Sequence, residues 1–146
     1  MKNVIVIVLG GDRFAIELRW VREIFTLGHV TPVPTSPPVI AGATNFRGSI
    51  VPVLAGGPLL GALAAPGGGK RSREGRAPRA GDSVLLLDVE ELRAAVSVDR
   101  IDEVTTLEDG PDGALVDREG HRATLLDPPA LLAAARRLVE KVGVPG

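Results

Sequence analysis

One guanidinium in this sequence lies in a setting suited to gripping a protein partner. The kernel reads Asn45-Phe46-Arg47-Gly48, a second glycine, Gly42, precedes it, and a β-branched run begins just after it. Glycine reaches positive φ without steric cost, so the kernel predicts a tight corner between two extended segments. An arginine fork offers five donors in fixed geometry and binds carboxylates or backbone carbonyls. The pattern therefore indicates a binding corner rather than a catalytic one.

The sequence offers no constellation typical of an enzyme. Its two histidines, His29 and His121, fall in a loop-like stretch and at a strand edge, without partners at metal-ligand spacing. Cysteine is absent, which excludes disulfides, thiolate nucleophiles and cysteine-ligated zinc. The serines in strand-like runs lack a nucleophile-elbow motif; they are Ser49, Ser83 and Ser97. A triad assembled from distant residues stays open as the rival, but we expect no enzymatic activity, cofactor, metal or small-molecule substrate.

Residues 64–81 form a basic, glycine- and proline-rich segment. Its composition buries little apolar surface, so we expect a flexible loop. The Gly-Gly-Gly-Lys run lacks the pattern of a phosphate-binding loop, because Arg71 follows the lysine and Ala64 replaces the first glycine. Clustered cations also bind phosphates, which leaves a nucleic-acid-binding barrel as an alternative. Aromatic stacking platforms are scarce in this chain, so nucleic acid is not the expected partner; the cations are Lys70, Arg71, Arg73, Arg76 and Arg79.

Length and charge limit the remaining possibilities. The chain has 146 residues and a formal net charge of −1, which fits one domain or two small lobes and argues against a general attraction to nucleic acid or anionic lipid. The apolar run at residues 4–9 ends at Gly10-Gly11, too soon for a signal peptide or a membrane span. We expect a cytoplasmic protein with no direct membrane insertion.

The elements read as mainly β. The run at residues 4–9, the turn at Gly10-Gly11 and the alternation after it predict a β-hairpin. Residues 20–25 fit either a helical turn or a strand. Residues 49–54 predict a strand with Pro52 at an edge or bulge. Residues 112–126 predict another hairpin, which turns at residues 117–120.

One helix is predicted at the C-terminal end, over residues 127–142. Asp127 is an N-cap residue, Pro128 fits the first helical position, and Gly143 ends the helix before a tail at residues 143–146. Residues 82–104 are ambiguous: residues 88–91 resemble a helix capping box, but apolar runs on both sides suggest paired strands. Local propensity alone favours a helix there.

Several motifs together resemble the CheW-like domain of bacterial chemotaxis coupling proteins. That family has a G-V-x-N-L-R-G-x-x-x-P-V core, an upstream V-P and a downstream V-D-x-V-x-x-V. This chain has the kernel at residues 42–53, Val33-Pro34 before it and residues 98–104 about fifty positions after it. The resemblance covers roughly residues 4–132, so we expect a single CheW-like domain over residues 1–142.

The resemblance implies two packed five-stranded, SH3-like barrel lobes plus the C-terminal helix. It implies a non-enzymatic adaptor that binds the regulatory domain of a CheA-type histidine kinase and the cytoplasmic tip of chemoreceptors. Asn45, Arg47 and Gly48 would belong to the receptor-facing region, with Val33 and Val98 as further candidates. It also favours a hairpin turning at residues 88–91, and a structural role for Asp99, which would accept backbone N–H groups at a strand exit.

The chain departs from the family just after Pro52-Val53. The family continues with an acidic residue, whereas this chain has Leu54-Ala55. If that carboxylate normally lies near Arg47, the arginine would lack an internal partner here. The loss, together with the basic loop, keeps open a CheW-like adaptor of another motility or developmental kinase pathway.

Overall fold

The computed structural model describes residues 2–32, 40–56, 78–110 and 114–141, the last five of these as backbone only. The chain forms ten strands in these ranges, one 3-10 turn at Leu18–Trp20 and one helix, α1, at Pro128–Lys141. The strands are β1 (Lys2–Leu9), β2 (Asp12–Glu17), β3 (Val21–Thr26), β4 (Ile40–Phe46), β5 (Ser49–Ala55), β6 (Ser83–Val89), β7 (Leu92–Val98), β8 (Arg100–Asp109), β9 (Leu115–Val116) and β10 (Arg122–Leu125).

The strands form two five-stranded lobes, which confirms the predicted fold class. Lobe 1 is a closed barrel in the order β1-β2-β10-β9-β8. Lobe 2 is a five-stranded sheet in the order β3-β6-β7-β5-β4. No ladder joins β3 to β4 among the described residues; instead, Thr31 just after β3 pairs with Ala43 of β4 through two backbone hydrogen bonds of 2.8 and 2.9 Å. Lobe 2 is therefore closed more weakly than lobe 1.

Strands buried on both faces explain the continuous apolar runs of the sequence. On β1, Val4 and Val6 face the interior of lobe 1, whereas Ile5 and Ile7 face the core between the lobes. On β6, Leu86 belongs to the interior of lobe 2, and its neighbours Leu85 and Leu87 pack into the same inter-lobe core. Because strand side chains alternate between faces, one uninterrupted run supplies two cores. Helix α1 adds Leu131, Leu132 and Ala135 to the inter-lobe core.

The ambiguous segments are strands. Residues 83–98 form the β6–β7 hairpin, whose two-residue turn is Glu90-Glu91, so the helical alternative is wrong there. Its strands bury leucines and valines on both faces, and this tertiary burial overrides local helix propensity. The segment after Trp20 is strand β3, preceded by the 3-10 turn.

Three smaller predictions are confirmed. The Asp99 carboxylate accepts the Gly10 backbone N–H at 2.8 Å, which ties the β7–β8 connection to the first hairpin. Asp117 Oδ1 accepts the backbone N–H groups of Glu119 and His121, each at 2.8 Å, and so builds the turn between β9 and β10. Helix α1 begins at Pro128, directly after Asp127.

Some predictions fall outside the described residues. Val33, residues 64–77 of the predicted loop at 64–81 and the tail at residues 143–146 belong to this group, so the loop and the domain limits stay predictions. Pro52 is described and exposed. There β5 is paired only with β4, because its ladder to β7 begins at Val53. The proline thus lies on a locally free edge, as its missing N–H requires.

Candidate partner-binding site

The kernel forms the tip of the β4–β5 hairpin. Phe46 pairs with Ser49, so the turn consists of two residues, Arg47 and Gly48, with φ of 49° and 87°. Two successive positive φ angles are the pattern of a type I′ turn, which matches the twist of the flanking strands. The tight corner predicted from the glycines is therefore present, and Arg47 occupies its apex.

Asn45 shapes this turn from within. Its Oδ1 accepts the backbone N–H of Gly48 at 2.8 Å, so the side chain holds the residue that follows the apex. Asparagine does this readily because its short side chain reaches backbone groups a few residues ahead. Of the predicted site residues, Asn45 and Gly48 therefore act on the backbone that displays Arg47.

The Arg47 guanidinium has two neighbours. Its Nη2 donates to Glu23 Oε1 at 2.6 Å, and its Cζ lies 5.1 Å from the centre of the Phe46 ring. The arginine side chain is nevertheless 73% exposed. A short, charge-assisted bond on an exposed arginine leaves most of the fork free for a partner.

The expectation that Arg47 lacks an internal partner is wrong. Ala55, at the family's acidic position, is buried at the far end of β5, where it pairs with Ser97. Residues 49–54 of β5 separate it from the turn, so a carboxylate there would not reach Arg47. The partner is Glu23, which β3 brings to the hairpin from the opposite edge of lobe 2.

Side chains complete the closure of lobe 2 beside this turn. Phe25 of β3 packs against Phe46 of β4, with ring centres 4.7 Å apart. The Glu23–Arg47 ion pair spans the same two edge strands. The candidate residues thus belong to the seam of lobe 2, the line along which β3 meets β4.

The other two predicted residues do not join this cluster. Val98 is 5% exposed and packs in the inter-lobe core, so its side chain is not available as a surface contact. Val33 lies outside the described residues. Of the predicted residues that the structure describes, Asn45, Arg47 and Gly48 lie together and Val98 lies apart from them.

Comparison with known proteins agrees with this architecture. A family model described as CheW-like domain matches residues 3–136. The chain belongs to the CheW-like domain family. It is similar in structure to the scaffolding protein TtCheW from Thermoanaerobacter tengcongensis, with a TM-score of 0.67 and 18% identity over 86% of this chain and 88% of that chain. At that identity the likeness concerns the fold. Comparison with curated protein sequences finds no significant match.

Sequence reasoning missed the exposed apolar side chains of this CheW-like domain. Ile24 is 40% exposed and Val104 57% exposed. Ile24 lies opposite Leu85 and Val104 opposite Ile5, and both of these partners belong to the inter-lobe core. Directly paired residues share a sheet face, so both exposed side chains extend the face that buries this core. Side chains alternate between the two faces of a strand, but the sequence alone does not say which face is buried. These two positions could therefore be found only once the strand pairing was known.

A further apolar side chain lies close to the turn. Ile50, three residues after Arg47, is 70% exposed. It borders a groove of about 520 Å³ that also includes Ser49, Val51, Asp88 and Arg93. Ile50 and the guanidinium of Arg93 therefore give a partner in this groove both an apolar and a charged contact.

A second arginine of the CheW-like domain makes the same two kinds of contact. Arg19 Nε lies 2.9 Å from Glu17 Oε2, and its Cζ lies 4.5 Å from the centre of the Trp20 ring. Its side chain is 69% exposed. Glu17 also accepts from Lys2 Nζ at 3.1 Å. These bonds, led by that from Lys2, outweigh the opposing effect of burial and lower the pKa of the Glu17 carboxyl.

The described residues contain neither a candidate metal site nor a candidate membrane-spanning helix. In that part of the chain no group of three or more potential ligand side chains is arranged to hold a metal ion. Within the same ranges no helix combines the length and apolarity needed to cross a bilayer. Thr44, the buried polar residue of β4, donates its hydroxyl to the His29 carbonyl at 2.9 Å and so serves the fold.

Proposed function

We propose that this protein is a non-enzymatic cytoplasmic adaptor that couples the cytoplasmic tip of chemoreceptors to the regulatory domain of a CheA-type histidine kinase. The observation that carries the proposal is the Arg47 turn. In a member of the CheW-like family, it presents an arginine side chain that is 73% exposed at the apex of a tight hairpin. Adaptors act by holding partners together, and such a turn supplies a directional contact without chemistry of its own.

The ion pair with Glu23 supports a carboxylate or carbonyl as the receptor group that Arg47 meets. The guanidinium already binds one carboxylate oxygen at 2.6 Å and stacks near Phe46. The remaining N–H donors of the guanidinium would bind acceptor groups of the same kind on a partner. A receptor side chain would share Arg47 with Glu23 or displace it.

Two partners need two surfaces. Leu92 apart, the exposed large apolar side chains of the described residues lie in two places. Ile24 and Val104 extend the inter-lobe face, whereas Ile50 lies beside the Arg47 turn. Exposed apolar contacts with a polar rim are typical of protein interfaces. This distribution supports an adaptor that engages more than one partner.

The pathway alternative keeps the fold and changes the partners. Ala55 is buried where the resemblance leads one to expect an acidic residue, so that carboxylate is absent without loss of the strand. A CheW-like adaptor serving another motility or developmental kinase would show the same feature. Titration calorimetry against the regulatory domain of the CheA-type kinase from the same genome separates the two: binding at micromolar affinity or tighter supports chemotaxis coupling, and no binding by the folded protein favours the alternative.

The role of Arg47 is tested by a matched pair of variants. Arg47→Ala should weaken binding to a receptor cytoplasmic fragment by about 1–3 kcal/mol, as expected of a central interface arginine. Arg19→Ala, which removes the same ion-pair and ring contacts elsewhere, should leave the affinity unchanged. Circular dichroism should show both variants folded. Equal affinities of Arg47→Ala and the unmodified protein would refute the proposed contact.

A further inference from the structure

Strand β8 has a long free edge. Its pairing with β1 runs from Lys2–Leu107 to Val8–Arg100, but β9 meets its other edge only at Glu108 and Asp109. Among the described residues no strand pairs with that edge over residues 101–107. An antiparallel strand directs alternate backbone N–H and C=O groups to each side, so this edge leaves such groups without a strand partner.

A groove of about 850 Å³ lies along this edge, at the mouth of the lobe 1 barrel. Asp102, Glu103, Thr105 and Thr106 of β8 form one wall, and the turn at residues 117–121 contributes the other. Five residues of strand span roughly 17 Å, so the edge is long enough for a short extended peptide. The opening exists because β9 is two residues long and cannot cover the whole of β8.

Arg13 also lines this groove. Its Nε is buried without a hydrogen-bond partner, lying 3.5 Å from Asp102 Oδ2. Its Nη2 lies 3.6 Å from Glu103 Oε1. Arg13 therefore holds the carboxylates of Asp102 and Glu103 on the wall of the groove.

The charge of the lining selects the side chains of the occupant. Four carboxylates and two guanidinium groups line the groove, a formal charge of −2 without His121. Arg100, outside the lining, also pairs with Asp102 at 3.8 Å, which leaves the groove negative by one charge. The carboxylates belong to Asp102, Glu103, Asp117 and Glu119, and the guanidinium groups to Arg13 and Arg118. Complementarity therefore favours a cationic segment over an acidic one.

We propose that the free edge of β8 binds an extended, lysine- or arginine-bearing segment of a protein partner, which adds a strand along residues 102–106. Its backbone would pair with β8, and its cations would meet the carboxylates of the groove. The site lies on lobe 1, whereas the Arg47 turn lies on lobe 2. The proposed binding at β8 can therefore be tested independently of receptor coupling.

The test uses the full chain and capped synthetic hexapeptides of alternating lysine and valine. In an NMR titration we expect amide shifts confined to residues 101–107 and to the turn at residues 117–121. The same peptide with glutamate in place of lysine, and the lysine peptide N-methylated at alternate amides, should not bind. Glu103→Gln should weaken binding roughly two- to fivefold, the range of a partly exposed ion pair. Glu108→Gln, on the same strand but at its paired end, should not.

Each remaining outcome overturns the proposal. Absence of shifts with the lysine peptide would show that the edge does not accept a strand. Equal binding of the N-methylated peptide would show that the peptide backbone does not form hydrogen bonds with β8. Equal binding of the glutamate peptide, or shifts centred on residues 45–50, would place the recognition elsewhere.

Discussion

Arg47 and Arg19 make nearly identical contacts from different backbones. Each is about 70% exposed, each pairs with a glutamate, and each lies over an aromatic ring. Arg19 lies in a 3-10 turn and pairs with Glu17, two residues away. Arg47 lies at positive φ on a hairpin apex and pairs with Glu23, 24 residues away.

The difference lies in what each ion pair joins. The Arg19 pair is local and belongs to one connection, with Lys2 as a further cation on the same carboxylate. The Arg47 pair spans the two edge strands of lobe 2. A list of contacts does not separate the two arginines, but backbone geometry and topology do. A residue held at positive φ is under backbone strain, and such strain is concentrated at functional sites.

The largest effect on stability is expected from Gly42→Ala. Gly42 lies on β4, the strand that leads into the Arg47 turn, and not near Arg19. A Cβ at Gly42 would overlap the carbonyl oxygen of Thr31, which lies in the segment after β3 and forms backbone hydrogen bonds with Ala43 of β4. We expect a loss of about 2–3 kcal/mol in the free energy of unfolding, measured by urea titration. The emission of Trp20, beside Arg19, should stay native before the transition. Gly28→Ala, where a Cβ meets nothing within 4 Å, is the control; equal stability of both variants would contradict the role of Gly42.

Gly48→Ala should cost less, because only the backbone opposes it. The position has φ of 87° and open space for a Cβ. An alanine there should lower the free energy of unfolding by about 1–2 kcal/mol, whereas Gly48→Asn should cost less, since asparagine tolerates left-handed backbone. Thermal melts of both variants measure the difference. An unshifted melting temperature for Gly48→Ala would mean that the turn adopts another conformation.

Much of this fold follows from the sequence. The Gly10-Gly11 turn and the helix start at Asp127-Pro128 depend on nearby residues, and these predictions hold. The structural role of Asp99 came from the family resemblance instead, because its contact with Gly10 joins residues 89 positions apart. The β6–β7 hairpin needed the family resemblance, because its turn is Glu90-Glu91, with φ of 46° and 72°. Glutamate is not a residue that local rules place at positive φ.

The site was only half predictable. Asn45, Arg47 and Gly48 are contiguous, so one motif locates them together. Glu23 reaches Arg47 only because the sheet curves until its edges meet, which no local pattern encodes. Val98 was predicted as a surface contact but is buried. Both faces of β7 are buried, so its residue type does not reveal that the side chain packs in the inter-lobe core.

Glu23→Gln and Glu17→Gln sharpen the comparison at the level of binding. If Glu23 competes with the receptor for Arg47, Glu23→Gln should tighten receptor binding by roughly two- to fivefold, the scale of a surface ion pair. Glu17→Gln, which frees Arg19, should change nothing. Titration of both variants with the receptor fragment measures this. Weaker binding by Glu23→Gln would mean that the glutamate orients Arg47 for its partner instead.

The smallest effect is a pH dependence on the Arg19 side. Bonds led by that from Lys2 lower the pKa of Glu17, so the folded state favours its ionised form. The resulting stabilisation is complete above the ordinary carboxyl pKa of roughly 4.3 and disappears as pH falls through the lower folded value. Glu17→Gln should therefore lower the melting temperature at pH 7, and the gap to the unmodified protein should narrow towards pH 3. A gap that stays constant on acidification would show that Glu17 stabilises the connection through packing rather than through its charge.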